Sequence, residues 1–87
     1  MSAFEQAQKD VHTLSQKPGP SDLLALYASF KQATVGDAPK GDRPGMLNVM
    51  GRLKYDAWAE LKGMSSSAAE AAYIAKVSAL LKADGKS

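Results

Sequence analysis

The sequence predicts an all-α domain built as a bundle of four helices, and three observations support this. Apolar side chains recur at intervals of three and four residues along most of the chain, which is the period of an amphipathic helix. No run of strictly alternating apolar and polar residues is long enough for a strand. Proline and glycine clusters divide the periodic stretches into four segments. We therefore expect residues 1–87 to form a single helical domain.

The first two predicted helices are separated by a proline–glycine break. An apolar stripe predicts the first helix over about residues 3–15, and the break at residues 17–20 ends it. Ser21 or Asp22 can cap or charge the start of the second helix, which Gly36 ends. The expected inward residues are Phe4, Ala7, Val11 and Leu14 in the first helix, and Leu23, Leu26, Tyr27, Phe30, Ala33 and Thr34 in the second.

The third and fourth predicted helices follow a long connection over residues 37–50, which is rich in glycine and proline. A loop of this length is usually functional or disordered, and its charge favours a functional one. We expect the third helix over about residues 51–62, ended by Gly63, and the fourth from an N-cap at Ser65 through Ala83. The expected inward residues are Leu53, Ala57, Trp58 and Leu61 in the third helix, and Ala69, Tyr73, Ile74, Val77, Leu80 and Leu81 in the fourth.

Composition and charge restrict the possible functions. The chain has no cysteine and one histidine, so a disulfide or an ordinary zinc site is not expected, and we predict no cofactor. The N-terminus lacks the features of a secretory signal and no apolar run could span a bilayer, so we expect a soluble, cytoplasmic protein. Residues 37–54 carry four cationic side chains against two carboxylates. This local excess suits one small phosphorylated ligand better than a nucleic acid.

The residue inventory argues against catalysis. There is no cysteine nucleophile, and the single histidine, His12, has no serine in a strand–turn–helix elbow to pair with. Asp56 and Glu60 lie four residues apart, but that spacing is typical of a solvated helix face rather than of an acid/base pair. We therefore expect a protein that is not an enzyme.

Tyr27 and Lys31 form the most suggestive pair in the sequence. They lie four residues apart, so on a helix a phenol and an ammonium share one face, which suits a phosphate. Lys54 and Trp58 repeat the pattern, and Tyr73 lies among alanines. On spacing alone the ordinary interpretation is stronger, in which the aromatic rings are core residues and the lysines are solvated.

The same residues resemble the acyl-CoA-binding protein family, in order and over nearly the whole chain. The resemblance is most specific between Lys31 and Asp37. The matching segments are Phe4 with Val11, Tyr27–Asp37 (YASFKQATVGD), Arg43–Leu47 (RPGML), Lys54–Trp58 (KYDAW), Leu61–Gly63 (LKG), and Ala72–Ile74 (AYI) with Val77.

The resemblance implies an up-down-down-up four-helix bundle whose ligand site is formed mostly by the second and third helices. It also implies reversible binding of medium- to long-chain fatty acyl-CoA by an intracellular carrier and buffer of the acyl-CoA pool. Such a protein is expected to be a monomer that makes at most transient contact with membranes or with enzymes that use acyl-CoA.

The resemblance also assigns roles to individual residues. The adenosine 3′-phosphate of the ligand would be held by Tyr27, Lys31 and Lys54, with Tyr73 near the nucleotide. Phe30 and the backbone at Ala28 and Ser29 would flank the adenine, and Leu23 and Leu24 would touch the acyl chain. Two positions where the family often has lysine are His12 and Met50 here, and both are weaker candidates for ligand contact. Further candidates for the wall of the acyl groove are Met46, Leu47, Met50 and Leu53.

Overall fold

A computed structural model of the chain describes residues 1–85, and in that range it contains four α-helices and no strand. The helices are α1 (Ala3–Asp10), α2 (Pro20–Thr34), α3 (Val49–Ala59) and α4 (Ser66–Ala83), with one turn of 3₁₀-helix over Val11–Thr13. The all-α prediction is confirmed. The predicted domain includes residues 86 and 87, which lie outside the described range.

The first helix is shorter than the sequence predicts. It begins with a capping box, in which the Ser2 hydroxyl accepts from the Glu5 amide at 3.1 Å and the Glu5 carboxylate accepts from the Ser2 amide at 3.0 Å. The prediction of helix to residue 15 is wrong, because the chain tightens into a 3₁₀ turn after Asp10 and is extended at Leu14. The Thr13 hydroxyl donates to the Asp10 carbonyl at 2.7 Å, which helps to close the final turn.

The starts of α2 and α3 also differ from prediction. Helix α2 begins at Pro20, where the missing amide leaves no donor unpaired, and its N-cap is Gly19 rather than Ser21 or Asp22. Helix α3 starts two residues early, because the Asn48 side chain accepts from the Gly51 amide at 3.0 Å. It ends at Ala59, three residues earlier than expected, and a turn leads to Gly63, whose φ is +87°.

Helix α4 begins as predicted, since the Ser65 hydroxyl accepts from the Ala68 amide at 3.1 Å. It runs antiparallel to α2, because the start of each helix meets the end of the other. Lys76 donates to Asp22 at 3.1 Å, and Ser66 donates to the Ala33 carbonyl at 2.7 Å.

The other two helix pairs run parallel, which completes the up-down-down-up arrangement. Lys54 of α3 lies beside Tyr27 of α2, and one turn further along both helices Trp58 lies beside Lys31. Helix α1 packs on α4 in the same sense, with Phe4 at its start against Tyr73 and with Ser15, past its end, donating to Asp84 at the end of α4. Among the helices of the described chain, α3 packs against α2 alone, so it forms one edge of the molecule.

The hydrophobic core lies between α1, α2 and α4. Its buried members are Phe4, Ala7, Leu26, Ala33, Ala69, Tyr73 and Val77. Three side chains expected to face inward are exposed instead: Leu23, Thr34 and Leu53. Helix α2 is contacted on two sides, so its burial is spread over Ala28, Ser29 and Gln32 as well and does not follow one stripe. No helix within residues 1–85 is long and apolar enough to cross a membrane.

Candidate ligand-binding site

Two lysines flank the ring of Tyr27 where α2 and α3 run side by side. The Nζ atom of Lys31 lies 6.0 Å from the centroid of this ring, and the Nζ atom of Lys54 lies 5.6 Å from it. Neither ammonium group forms a salt bridge to a carboxylate within residues 1–85. The parallel packing of α2 and α3 therefore concentrates positive charge around the ring of a tyrosine, which favours an anion. We call Tyr27, Lys31 and Lys54 the cationic cluster.

Trp58, one turn after Lys54 on α3, packs against this cluster. Its side chain is buried, and its indole N–H donates to the Gly36 carbonyl at 2.7 Å, which ties the end of α2 to α3. The Nζ atom of Lys31 lies 5.5 Å from the centroid of the Trp58 ring as well as near Tyr27. A cation between two aromatic faces loses freedom, so Lys31 is partly positioned before any ligand arrives.

A buried glutamine that the sequence analysis missed fixes the end of α2. Gln32 is 1% exposed, and its side-chain amide donates to Asp37 at 2.8 Å and to the Met64 carbonyl at 3.0 Å. The Gly63 amide donates to the same Asp37 oxygen at 2.9 Å. Both hydrogen bonds lower the pKa of Asp37, and the one from the Gly63 amide has the larger effect. The start of the long loop is thereby joined to the α3–α4 turn.

The long loop between α2 and α3 is also fixed to α3 further along. Arg43 donates two hydrogen bonds to the Asp56 carboxylate, both 2.9 Å long, and this pairing lowers the pKa of Asp56 and raises that of Arg43. The Tyr55 hydroxyl donates to the Pro39 carbonyl at 2.6 Å. The charge of Arg43 is therefore neutralised by Asp56. The loop, held in this way, forms a wall beside Lys54.

A shallow pocket of about 260 Å³ lies between this loop and the cationic cluster. Tyr27, Lys54 and Trp58 line it from the helices, and Pro39, Asp42 and Pro44 line it from the loop. The contribution of the loop to a ligand site stays a prediction, and this pocket is where it would be made.

A larger apolar pocket of about 590 Å³ lies on the other side of Tyr27. It is open to solvent and is lined by the 3₁₀ turn and the segment after it, by α2 and by α4. The candidate ligand residues that line it are His12, Leu23, Tyr27, Phe30 and Tyr73. Tyr27 lines both pockets, so it stands between a cationic compartment and an apolar one.

Tyr73 contributes to the core as well as to the pocket wall. Its ring meets the Phe4 ring edge-on at a centroid distance of 5.2 Å, and Phe30 lies 6.3 Å away. The side chain is buried, and burial raises the pKa of its hydroxyl. Substitution of Tyr73 would therefore disturb packing and the pocket together.

The remaining candidate residues lie apart from these two pockets. Leu24, Ala28 and Ser29 face α3 and line a separate depression of about 470 Å³, and the Ser29 hydroxyl donates to the Ala25 carbonyl at 2.8 Å. Leu53 lines that depression too. Met50 is exposed, as are the other candidate groove residues Met46 and Leu47, and none of the three lines either pocket beside Tyr27.

The described residues contain no group of three or more histidine or carboxylate side chains that could hold a metal ion. The geometry instead defines an all-helical ligand-binding domain with a cationic compartment and an apolar compartment that share one tyrosine.

Comparison with known proteins gives the family. Residues 1–77 match the family described as acyl CoA binding protein. The chain is 48% identical over 82 residues to the acyl-CoA-binding protein homolog of Manduca sexta, covering 94% of this chain and 91% of the relative. It is 49% identical over 78 residues to the acyl-CoA-binding protein of Saccharomyces cerevisiae, covering 90% and 88%. The chain belongs to the acyl-CoA-binding protein family.

The fold agrees with that membership. The crystal structure of Oryza sativa acyl-CoA-binding protein 2 matches this chain with a TM-score of 0.88 at 41% identity, covering 95% of this chain and 89% of the other. The resemblance noted in the sequence and its predicted bundle are thus confirmed.

Proposed function

We propose that this protein binds medium- to long-chain fatty acyl-CoA thioesters reversibly and acts as an intracellular carrier and buffer of the acyl-CoA pool. The observation that carries the proposal is the position of Tyr27 between two lysines on one side and an apolar pocket on the other. Acyl-CoA is an anion with a hydrocarbon tail, so it needs both compartments at once. Family membership and the printed names of the relatives support the same ligand class.

The cationic cluster is the proposed site of the adenosine 3′-phosphate. Lys31 and Lys54 supply charge, and the Tyr27 hydroxyl supplies a further donor. Phe30 and Tyr73 line the apolar pocket where it adjoins Tyr27, and they are candidates to flank the adenine and the nucleotide at that end of the pocket. The backbone at Ala28 and Ser29 is the remaining candidate contact on α2.

The apolar pocket is the proposed site of the acyl chain. Each methylene buried there contributes about 0.8 kcal/mol before ordering costs, so affinity should rise with chain length. Leu23 lies on its wall and suits this role, and Leu24 would act from the α3 side. His12 lies at the rim, where it could contact the head group, while Met50 could contact the ligand only from the exposed start of α3.

The binding requires no cofactor, and we place no chemical step in this site. The chain has no cysteine that could act as a nucleophile. Its single histidine, His12, is exposed and, within residues 1–85, is not paired with a nucleophilic side chain. We further propose that the protein is a cytoplasmic monomer, that nucleic acid is not a partner, and that contacts with acyl-CoA-using enzymes are transient. Incubation with palmitoyl-CoA should release no thiol above the uncatalysed rate.

Titration calorimetry with octanoyl-CoA, palmitoyl-CoA and free coenzyme A tests the proposal. Both thioesters should bind more tightly than free coenzyme A, and each additional pair of methylenes should strengthen binding by up to about fifteenfold while the tail remains inside the pocket. Equal affinity for free coenzyme A and palmitoyl-CoA would show that the apolar pocket does not hold the tail.

A further inference from the structure

Residues 14–18 connect the 3₁₀ turn to α2 and form one wall of the apolar pocket. Leu14, Gln16, Lys17 and Pro18 all line that pocket. The segment has no helical backbone of its own, because the chain becomes extended at Leu14. Its position therefore depends on contacts with the rest of the protein. We call residues 14–18 the wall segment.

The end of α4 supplies such a contact. The Ser15 amide donates to the Oδ2 atom of Asp84 at 3.0 Å, and the Ser15 hydroxyl donates to the same oxygen at 3.1 Å. Within residues 1–85, no other hydrogen bond joins residues 15–18 to the helices. One carboxylate oxygen therefore holds the middle of the wall segment through two donors.

The Asp84 side chain is not explained by the needs of its own helix. Asp84 is the C-cap of α4, and a carboxylate at that end opposes the helix dipole, whose C-terminal end is negative. In the described part of the chain, this carboxylate forms no salt bridge and accepts hydrogen bonds from Ser15 alone. The contact with the wall segment is therefore the interaction that accounts for an acidic residue here.

We propose that Asp84 and Ser15 are a positioning pair for ligand binding, which holds the wall segment so that Leu14 and Pro18 can contact an acyl chain. The inference rests on the proposed function, in which the apolar pocket holds the tail. Neither Asp84 nor Ser15 lines that pocket, so both act through the wall segment. A ligand that requires the held wall binds only the fraction of molecules in which the segment is in place, and the apparent affinity falls with that fraction.

Asp84→Ala tests the proposal because it removes both hydrogen bonds and no side chain of the pocket. The two bonds are exposed to solvent, so each contributes modestly, and the affinity for palmitoyl-CoA should fall about three- to tenfold. Free coenzyme A has no tail to contact Leu14 or Pro18, so its affinity should change by less than about twofold. Titration calorimetry measures both values. An equal loss with the two ligands would overturn the proposal.

Conservative variants distinguish positioning from a general loss of structure. Ser15→Thr keeps the hydroxyl donor, and Asp84→Asn keeps an acceptor oxygen, so each should bind palmitoyl-CoA more tightly than Asp84→Ala does. Ser15→Ala keeps only the amide donor and should give an intermediate affinity. Adding Ser15→Ala to Asp84→Ala should cause no further loss, because both bonds share one acceptor. Losses that add in the double variant would overturn the pairing.

Lys76→Met is the matched control. Lys76 donates to Asp22 at 3.1 Å and so links α4 to α2, but it lines neither the apolar pocket nor the pocket beside Lys54. This variant should bind palmitoyl-CoA as the unsubstituted protein does, and a loss equal to that of Asp84→Ala would overturn the proposal. Equal binding of palmitoyl-CoA by Asp84→Ala and the unsubstituted protein would overturn it too and leave the proposed function standing. No binding by the unsubstituted protein would overturn both.

Discussion

Lys54→Met is the substitution that most sharply tests the cationic cluster. The change removes one positive charge and keeps an unbranched apolar side chain on an exposed face of α3. Lys54 makes no salt bridge within residues 1–85, so the folded protein loses little when the ammonium group is removed. The free energy of unfolding should change by less than about 0.5 kcal/mol.

The expected loss of affinity follows from the geometry. The Nζ atoms of Lys31 and Lys54 lie 6.0 and 5.6 Å from the Tyr27 ring centroid, so one phosphate bound beside this ring can approach both. At about 4 Å and an effective dielectric constant of about 20, each charge pair is worth about 4 kcal/mol before desolvation. Lys54 is exposed, and solvent screening reduces this to the range of a charge-assisted hydrogen bond, about 1.5–3 kcal/mol. Affinity should fall roughly 10- to 150-fold.

The assay compares two ligands that differ in one phosphate. Palmitoyl-CoA and its 3′-dephospho analogue are titrated into the unsubstituted protein and into Lys54→Met. If Lys54 holds the 3′-phosphate, the substitution weakens the binding of palmitoyl-CoA roughly 10- to 150-fold. The affinity for the dephospho ligand then stays nearly unchanged. Lys62→Met, on the α3–α4 turn away from Tyr27, is the matched control and should bind both ligands normally. An equal loss with both ligands would refute the assignment of the phosphate to Lys54.

Three further predictions concern stability and the loops. Gln32→Ala should lower the free energy of unfolding by about 2 kcal/mol and the melting temperature by about 8–16 °C, because two hydrogen bonds of a buried side chain are lost; an unchanged melting curve would contradict this. The pKa of Asp37 is lowered in the folded state, so its stabilising contribution is complete above the ordinary value of 3.8 and is lost as the pH falls through the lowered one. Acid unfolding of Asp37→Asn, whose side-chain oxygen can still accept from Gly63, should therefore depend less on pH in that range, and identical acid transitions would argue against it. Asp84→Ala should speed hydrogen exchange of the Ser15 amide, which donates to the Asp84 carboxylate at 3.0 Å; unchanged exchange would show that this contact does not hold the segment after α1.

The sequence predicted the number and type of the helices and both ends of α4, but not the end of α1 or the ends of α3. Ser65 was identified correctly as a cap because its side chain acts on its own helix. The end of α1 was not predicted, because the segment after it is held by a distant residue: the Ser15 amide donates to Asp84, which lies 69 positions later in the chain. Burial on α2 was misjudged for a similar reason: contact with both α3 and α4 buries Gln32, whose polar side chain gives no periodic signal.

The candidate site divides in the same way. Tyr27 and Lys31 were predictable as one face of a helix, but only the parallel packing of α2 and α3 places Lys54 beside them. The apolar half was less predictable. Met46, Leu47 and Met50 look like groove residues by composition, yet their segment precedes α3 or begins it, where no other helix packs. Their contact with an acyl chain stays a prediction. The apolar pocket beside Tyr27 is lined by the segment after the 3₁₀ turn, whose path the sequence does not specify.

A crystal structure of the protein with palmitoyl-CoA would show whether one ligand occupies the cationic cluster and the apolar pocket together. We expect the 3′-phosphate to lie within hydrogen-bond distance of the Tyr27 hydroxyl and of the ammonium groups of Lys31 and Lys54. The acyl chain should lie in the apolar pocket lined by the 3₁₀ turn, the segment after it, α2 and α4. A phosphate bound away from Tyr27, or a tail lying along the α2–α3 depression lined by Leu24 and Leu53, would contradict it.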